Sequence, residues 1–255
     1  MKPVITLISD WRLRDPYLSM FKGELLAQMP DAFLLDITHH IDLRDIAQTA
    51  FLMRQSFMSF PKGSVHLLLT NVLFSSVFDP VVLERDGHFF IGEDNGIFTM
   101  MFGGNAPLEG RRYVGEETQS LAKMVLLAKY IFNDELNAHT AVCGPLAMKI
   151  GQPAINNVFE HRIEGRIVYV DAYFNAITNI PIQMFREVVK GENVTAEVVT
   201  NKSMWKINKC YARYESGNEL FFIENPLGCM EIAVAQGKAA ALADLCINDK
   251  VTIFY

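Results

Sequence analysis

The sequence predicts two domains: an α/β domain with a mostly parallel sheet flanked by helices, and a smaller all-β domain that is a barrel or a sandwich. Strand-like and helix-like segments alternate through roughly the first 150 residues, as in βαβ units. Short β-rich segments punctuated by Asn and Gly follow them. With 255 residues, 50% of them hydrophobic, the chain is long enough to bury a large core. We place the domains at 1–158 and 159–255.

The elements of the first domain follow from the spacing of apolar residues. Residues 4–8 form a short apolar run typical of a central strand. Apolar side chains recur at spacings of three and four from Tyr17 to Leu26, which predicts a helix ending near Pro30. The sequence then predicts a strand at 32–37, a helix at 42–57, a strand at 64–69, a hairpin of 81–85 and 88–92 around Asp86-Gly87, and a helix at 120–136.

The pattern changes after Pro145. Residues 149–161 are irregular and polar, and β-rich segments separated by turn residues follow. These predict strands at 164–170, 194–199, 206–211, 219–223 and 230–234.

Composition excludes several classes of function. A formal charge of −6 and a pI near 5.5 argue against partners such as nucleic acid or an anionic membrane surface. Charged residues interrupt every long apolar run, so no membrane helix is predicted, and the first residues do not form an export signal. We therefore expect a cytoplasmic protein.

The common phosphate and metal motifs are absent from the sequence. There is no GxGxxG after the first strand and no GxxxxGK[ST]. The four cysteines form no CxxC pair, and His39 and His40 are neighbours on a strand, where their side chains point to opposite faces. We predict no metal site.

A polar loop follows the first predicted strand and precedes a helix. Ligands of open α/β sheets bind at the carboxyl ends of the strands, which is where Asp10 and Asp15 lie. Their carboxylates could accept hydrogen bonds from ribose hydroxyls or pair with a cation. Alternatively, Asp15 caps the helix with Pro16 in its first turn.

Two further loops are candidates. Residues 92–96, which include Asn95, suit either a tight turn or a ligand contact. Asp171, Tyr173 and Asn175 place a carboxylate, a ring and an amide together and could hold a nucleoside. The alternative is a β-turn with Tyr173 and Phe174 in the core.

Short sequence blocks run in a fixed order through nearly the whole chain. They are ITLISD at 5–10, DPY at 15–17, FKG at 21–23, DITH at 36–39, DI at 45–46, FPKG at 60–63, VH at 65–66, DNG at 94–96, Asp171 and Asn175 followed by TNI at 178–180, and Gly228 followed by EIA at 231–233. In these blocks and their order the chain resembles the S-adenosylmethionine (SAM) hydroxide adenosyltransferases and the related fluorinating and chlorinating enzymes.

The resemblance implies a Rossmann-like α/β domain, a β-barrel and a homotrimer whose sites lie between the N-terminal domain of one subunit and the C-terminal domain of its neighbour. It also implies a bound adenosyl ligand, with Asp10 on the ribose hydroxyls. The other ligand-binding residues that it implies are Asp15, Tyr17, Asn71, Asn95, Asp171, Tyr173, Asn175 and Glu231, with main-chain contacts to adenine from 228–233.

The chain differs from the family pattern at the residues that carry out catalysis in the hydrolytic members. Hydrolytic members carry an Asp-Pro-Gly-Val-Gly loop, a downstream Arg and a His-Gly-Arg-Asp segment, which together position water. The corresponding positions here hold Asn71, Phe78 and Ala138, with His139 one residue away and Asp79 next to Phe78. Asn cannot act as a carboxylate base, and Phe removes a fixed charge. The family's Gly before the Asn of the second-domain loop is Phe174 here.

Two functions therefore remain open. One is a SAM hydrolase that gives adenosine and L-methionine with atypical active-site residues. The other is a non-catalytic binder of an adenosyl ligand with a degenerate active site. Halogenation is less favoured, because no small hydroxyl residue is assigned to a halide pocket, and a trimeric scaffold is a further alternative. The resemblance implies no cofactor, with SAM as substrate or ligand.

Overall fold

The structure is a computed structural model that describes residues 3–103, 107–149, 151–189, 195–200, 203–207 and 219–255. The chain divides into two compact units, Met1–Gly151 and Gln152–Tyr255. The division precedes the boundary expected from the sequence, because the short strand Ile155–Asn157 pairs with a strand of the second unit.

The first unit contains seven strands and five helices among its described residues. The strands are β1 (Val4–Ser9), β2 (Phe33–Thr38), β3 (Val65–Leu69), β4 (Val81–Arg85), β5 (His88–Gly92), β6 (Gly110–Tyr113) and β7 (Thr140–Cys143). The helices are α1 (Tyr17–Gln28), α2 (Ile46–Ser56), α3 (Ile97–Phe102), α4 (Ser120–Phe132) and α5 (Leu136–His139).

These strands form one mixed sheet in the order β2-β1-β3-β5-β4-β6-β7. β1 pairs in parallel with β2 and β3, and β3 pairs in parallel with β5. β4, β6 and β7 add antiparallel pairings on the other side of β5. The predicted α/β architecture is confirmed, although the sheet is less parallel than expected because three of the six pairings are antiparallel.

Helices cover both faces of this sheet. Ile5 and Leu7 of β1 pack in the cluster that includes the apolar faces of α1 and α4. Ile8, which faces the opposite side, packs with residues of α2 and α3. This alternation follows from the period of two along a strand, and it makes β1 a central, fully covered strand.

Two helix boundaries differ from the sequence prediction. The helix expected at 42–57 begins only at Ile46, because Asp45 accepts hydrogen bonds from the N–H groups of Ala47 and Gln48 at 2.9 Å and caps it. The helix expected at 120–136 ends at Phe132. The Asp86-Gly87 hairpin is confirmed, with φ of +54° and +82° at its two central residues.

The second unit is an antiparallel sheet that curves into a nearly closed barrel, which confirms the predicted all-β domain. The strand order is β12-β11-β15-β9-β10-β14-β13, with β8 also paired to β9. Its described elements are β8 (Ile155–Asn157), β9 (Arg162–Val170), β10 (Ala176–Pro181), α6 (Ile182–Val188), β11 (Thr195–Val199), β12 (Met204–Ile207), β13 (Phe221–Glu224), β14 (Cys229–Ala233), α7 (Ala239–Ala243) and β15 (Lys250–Phe254). The strand predicted at 206–211 is instead Met204–Ile207, and residues 208–211 lie outside the described residues.

No helix in the described ranges is long and apolar enough to cross a membrane. The longest of them, α4, has 13 residues.

Two of the buried histidines of the first unit, His66 and His88, lie in contact with each other. His66 Nδ1 lies 2.7 Å from the Thr6 hydroxyl, and its Nε2 lies 3.1 Å from Nδ1 of His88. The ring of His66 also stacks on Phe90. Burial, together with His88, lowers the pKa of His66 to about 3. Both imidazoles are therefore held neutral in the folded chain.

This burial makes folding pH-dependent. The folded pKa of His66 lies below the unfolded value, so its contribution to stability is full above about pH 6.5 and is lost as the pH falls toward 3. We expect this residue to lower the free energy of unfolding by about 2 kcal/mol between pH 7 and pH 5. Urea unfolding at the two pH values measures the loss, which should shrink in His66→Gln.

His40→Gln serves as the matched control, because His40 is exposed. It should keep the pH dependence of the unchanged chain. If His66→Gln and the unchanged chain lost the same stability between pH 7 and pH 5, the prediction would be wrong.

Candidate functional site

The carboxyl ends of β1, β2, β3 and β5 meet at one edge of the first sheet, as the parallel pairings require. Asp10 follows β1 directly, and Asn71 follows β3 after one residue. The segment 71–80, which we call the β3–β4 loop, runs along the same edge to the start of β4. This edge therefore gathers the polar loops that the sequence singled out in the first domain.

Asp10 is the fixed point of this edge. Its side chain is buried, and Oδ2 accepts hydrogen bonds from the backbone N–H groups of Arg44 at 2.9 Å and Asn71 at 3.2 Å. Oδ1 has no hydrogen-bond partner among the described residues. The carboxylate is thus oriented by the protein through one oxygen, and the other oxygen can still accept hydrogen bonds.

Three residues around Asp10 have a left-handed backbone. Arg12, Arg44 and Asn71 have φ of +64°, +63° and +64°. For residues with a Cβ such conformations cost of order 1–3 kcal/mol each and concentrate at functional sites. Two of the three direct their N–H groups to Asp10, so the strain serves the orientation of that carboxylate.

A chain of polar contacts runs from the buried Ser9 and His39 at the end of β1 to the exposed Asp36. The Ser9 hydroxyl lies 2.7 Å from Nδ1 of His39, whose Nε2 lies 3.1 Å from Oδ1 of Asp36, and Lys22 donates to Oδ2 of Asp36 at 2.7 Å. His39 Nε2 and Asp36 Oδ1 are within ion-pair distance, but Nε2 has no hydrogen bond of good geometry among the described residues. Burial lowers the pKa of His39. Burial alone would raise the pKa of Asp36, but contacts with Lys22 and His39 lower it overall.

These contacts favour the structural interpretation of the DITHH segment over a metal site. Within the part of the chain that the structure describes, no three His, Cys, Asp or Glu side chains are grouped as metal ligands.

Aromatic rings line the edge beside Asp10. The Trp11 indole N–H donates to the carbonyl oxygen of Val72 at 2.7 Å, which ties the loop after β1 to the β3–β4 loop. Phe74 packs between Trp11 and Tyr17, with ring centroids 5.6 and 5.5 Å away. Tyr17 is half exposed, so one face of this ring group is open to a ligand.

Asp15 does not cap α1. The helix begins at Tyr17 after Pro16, without a side-chain hydrogen bond at its N-terminus. The Asp15 carboxylate is exposed and has no hydrogen-bond or ion-pair partner among the described residues. The interpretation of Asp15 as a helix cap is therefore wrong, and its carboxylate is free to meet a ligand.

Asn95 has a local structural role. Its side-chain oxygen accepts from the Ile97 N–H at 3.2 Å, and its amide donates to Glu93 at 3.0 Å. Gly96, with φ of +97°, completes the turn before α3. The structure thus favours the tight turn, one of the two alternatives for residues 92–96.

In the second unit, a tight loop between β9 and β10 is organised by Asp171. Its Oδ1 accepts from the N–H groups of Tyr173 at 2.9 Å and Asn175 at 2.8 Å. Tyr173 is 78% exposed and Phe174 is 40% exposed, so the alternative that placed these rings in the core is wrong. Asn175 is buried next to the same carboxylate.

Phe174 adopts the conformation that glycine favours. Its φ is +64°, its carbonyl accepts from the Ala240 N–H at 2.8 Å, and the Lys238 ammonium lies 4.4 Å from the centre of its ring. The loop therefore keeps a left-handed residue at this position although the side chain is large.

Glu231 is buried on β14. Asn225 donates its side-chain amide to Glu231, and its oxygen accepts from the Leu227 N–H at 2.8 Å. β14 pairs with β10 on one side and β13 on the other, so much of the main chain of Cys229–Ala233 is already engaged in the sheet.

Comparison with known proteins shows the family to which the chain belongs. The family model for the SAM hydroxide adenosyltransferase N-terminal domain matches residues 5–133, and that for the C-terminal domain matches residues 165–252. The chain belongs to the SAM hydroxide adenosyltransferase family. The resemblance drawn from the short sequence blocks is confirmed.

Curated relatives carry a hydrolase name. An (R)-S-adenosyl-L-methionine hydrolase of Methanocaldococcus jannaschii is 23% identical over 276 residues, which cover 99% of this chain and 96% of that protein. Another of Thermus thermophilus is 29% identical over 107 residues, 39% of this chain and 38% of that protein.

Solved structures share the fold. A conserved protein of Thermotoga maritima has a TM-score of 0.84 and 20% identity, covering 98% of this chain and all of its own. A conserved protein of Thermus thermophilus has a TM-score of 0.75 and 20% identity over the full length of both chains.

The resemblance sets Asn71, Phe78 and Ala138 against the catalytic positions of the hydrolytic members. Asn71 contributes its backbone N–H to Asp10, and its side chain is exposed. Phe78 packs its ring against the core beside α1 and α4. Ala138 is exposed, and the neighbouring His139 stacks on Tyr130 with ring centroids 3.8 Å apart. Stacking favours a packing role for His139.

The strain at Phe174 is testable with two substitutions. Both Phe174→Ala and Phe174→Gly lose the ring, but only glycine adopts φ of +64° without steric cost. We expect Phe174→Gly to be more stable than Phe174→Ala by about 1 kcal/mol in urea unfolding.

The matched pair is Tyr173→Ala and Tyr173→Gly. Tyr173 has ordinary negative φ, so alanine should be the more stable of the two there, by about 0.4–1 kcal/mol. The same order of stability at both positions would show that Phe174 carries no backbone strain.

Proposed function

We propose that this chain is a SAM hydrolase that transfers the adenosyl group to hydroxide and gives adenosine and L-methionine. The observation that supports it most is the buried Asp10 carboxylate at the carboxyl edge, oriented through Oδ2 and with no partner for Oδ1 among the described residues. A carboxylate held in this way suits a pair of ribose hydroxyls, which donate hydrogen bonds.

The reaction forms a bond between a water oxygen and the C5′ carbon of SAM while the bond from C5′ to sulfur breaks. The sulfur takes the bonding electron pair and leaves as the neutral thioether of methionine, and the attacking water loses one proton. Because a sulfonium is already a good leaving group, catalysis consists mainly of orienting and desolvating the nucleophile.

The remaining contacts are proposed by family correspondence. Asp15 and Tyr17 lie on the same loop and helix start as Asp10, with Asp15 unpaired among the described residues and Tyr17 half exposed. Asp171, Tyr173, Asn175 and Glu231 would meet the methionine or nucleoside part of the ligand from a second copy of the chain. No cofactor enters this scheme.

A second candidate function is adenosyl-ligand binding without turnover. This function is supported by the side chains that the resemblance sets at the catalytic positions. Asn71, Phe78 and Ala138 supply neither a base nor a fixed charge. Both functions use Asp10 in the same way.

The deciding experiment incubates the purified protein with SAM and quantifies adenosine and methionine by chromatography and mass spectrometry. We expect equal amounts of both products from the unchanged protein, and no product above background from Asp10→Ala or Asp10→Asn. Asp10→Asn keeps the size of the side chain and one acceptor oxygen, so a folded but inactive variant is expected.

Asp31→Ala is the matched control, because Asp31 is an exposed carboxylate in the turn before β2. It should retain activity. Calorimetry with SAM separates the two functions. If the unchanged protein binds SAM, Asp10→Asn does not, and neither protein turns SAM over, the chain is a binding protein. If Asp10→Asn binds SAM with unchanged affinity, the proposed role of Asp10 is contradicted.

We also propose a homotrimer. Besides the family correspondence, it is supported by large apolar side chains on the loops beside Asp10, namely Leu13, Leu73 and Val77, which are 64, 60 and 74% exposed. Neighbouring exposed apolar side chains mark surfaces that are covered in an assembly. Light scattering should give about three times the chain mass of 28.8 kDa. The mass of a single chain would contradict the proposal.

A further inference from the structure

The first turn of α4 is attached to the β3–β4 loop through its backbone. The Ser120 hydroxyl is buried and accepts from the Phe78 N–H at 2.6 Å. The same hydroxyl lies 3.0 Å from the carbonyl oxygen of Ser76 and 2.9 Å from that of Phe78, one of which receives its proton. One side chain of the helix therefore binds the main chain at two residues of the loop.

Lys123, one turn further along α4, holds the same loop by charge. Its side chain is 8% exposed, and its ammonium donates to Oδ1 of Asp79 at 2.7 Å. A buried ammonium is costly unless it is paired, whereas Asp79 is 51% exposed and is easily solvated. Movement of the loop away from α4 would leave Lys123 without this partner, so the ion pair resists that movement.

The opposite end of the loop belongs to the adenosyl site. The Asn71 N–H binds Asp10, and the Val72 carbonyl accepts from the Trp11 indole. Between the two ends, Phe74 packs against Trp11 and Tyr17. The loop thus spans from the helix α4 to the carboxylate that is proposed to hold the ribose.

We propose that Lys123 and Ser120 are positioning residues, which fix the β3–β4 loop so that Asn71 and the aromatic group keep their places around Asp10. Lys123 also brings a positive charge from α4 to Asp79, the residue next to Phe78. The expected effect of these two residues on catalysis rests on the proposed hydrolase function. Their role in fixing the β3–β4 loop does not depend on that function.

The test uses Lys123→Met and Lys123→Arg. Methionine keeps an unbranched apolar chain in the buried position and leaves Asp79 in water, so the fold should survive. Arginine keeps the charge and should restore part of the effect. Lys129→Met is the matched control, because Lys129 lies on the same helix but donates to Gln28, away from the loop.

Two readouts are measured. The first is SAM hydrolysis, where Lys123→Met should lower kcat by about a hundredfold with little change in KM, since misplacement by about 1 Å can cost that much. The second is acrylamide quenching of Trp11 in a Trp205→Phe background, which removes the only other tryptophan of the sequence. Trp205 Nε1 is buried without a partner among the described residues, so phenylalanine loses no hydrogen bond there.

Quenching of Trp11 should rise in Lys123→Met, fall back in Lys123→Arg and stay unchanged in Lys129→Met. Equal quenching in Lys123→Met and Lys129→Met would overturn the proposal, whether or not the protein hydrolyses SAM. Raised quenching with an unaltered kcat would overturn the catalytic consequence. Absence of hydrolysis by the unchanged protein would count against the proposed function alone, and quenching would still decide whether α4 holds the loop.

Discussion

The carboxylate of Asp10 is the contact on which the carboxyl edge of the first sheet depends. One of its oxygens accepts hydrogen bonds from Arg44 and Asn71, which lie on two different loops and both have left-handed backbones. A residue with a Cβ keeps that conformation only where its surroundings compensate the cost, and a buried anion that binds two N–H groups does so. The strain of the loops and the orientation of the carboxylate therefore support each other.

Main-chain contacts set the shape of these loops with little use of side chains. Asn71 reaches Asp10 through its backbone N–H, and its own side chain is exposed. Phe174 takes the left-handed conformation that glycine favours although its side chain is large. Ser120 accepts a hydrogen bond from the Phe78 N–H and Trp11 donates one to the Val72 carbonyl, so these contacts also involve the backbone of the β3–β4 loop. The conformation of these loops therefore depends little on the side chains that would perform acid-base chemistry.

Strong local signals made part of this structure predictable from the sequence. β1 is a continuous apolar run, and Asp86-Gly87 needs positive φ at both residues, which Asp and Gly tolerate. Short elements such as α3, β6 and β7, of four to six residues, carry too little periodicity to be detected. The helix at 42–57 is shorter than its apolar pattern predicts, because the Asp45 side chain caps it just before Ile46.

The site was predictable only in its residues and not in its contacts. Asp10 follows a strand and matches a family block, but its partners lie 34 and 61 residues away in the sequence. The same holds for Lys123 and Asp79, which are 44 residues apart. Neither pairing has a local signal, because each depends on the order of the strands in the sheet. Asp15, in contrast, had a local signal for a helix cap that the fold does not use.

The absence of a base or a fixed charge at Asn71, Phe78 and Ala138 would affect the rate of the proposed reaction more than its nature. The leaving group is a sulfonium, so bond cleavage needs no general acid, and neutral water can attack C5′ and lose its proton afterwards. What the protein must supply is a fixed ribose and a nucleophile stripped of bulk water. Asp10 is held in a way that suits the first requirement, and the Trp11, Phe74 and Tyr17 rings form an apolar wall suited to the second. An amide such as that of Asn71 can orient a water molecule by hydrogen bonding although it cannot take its proton. The chemistry therefore places its main demand on the position of the β3–β4 loop.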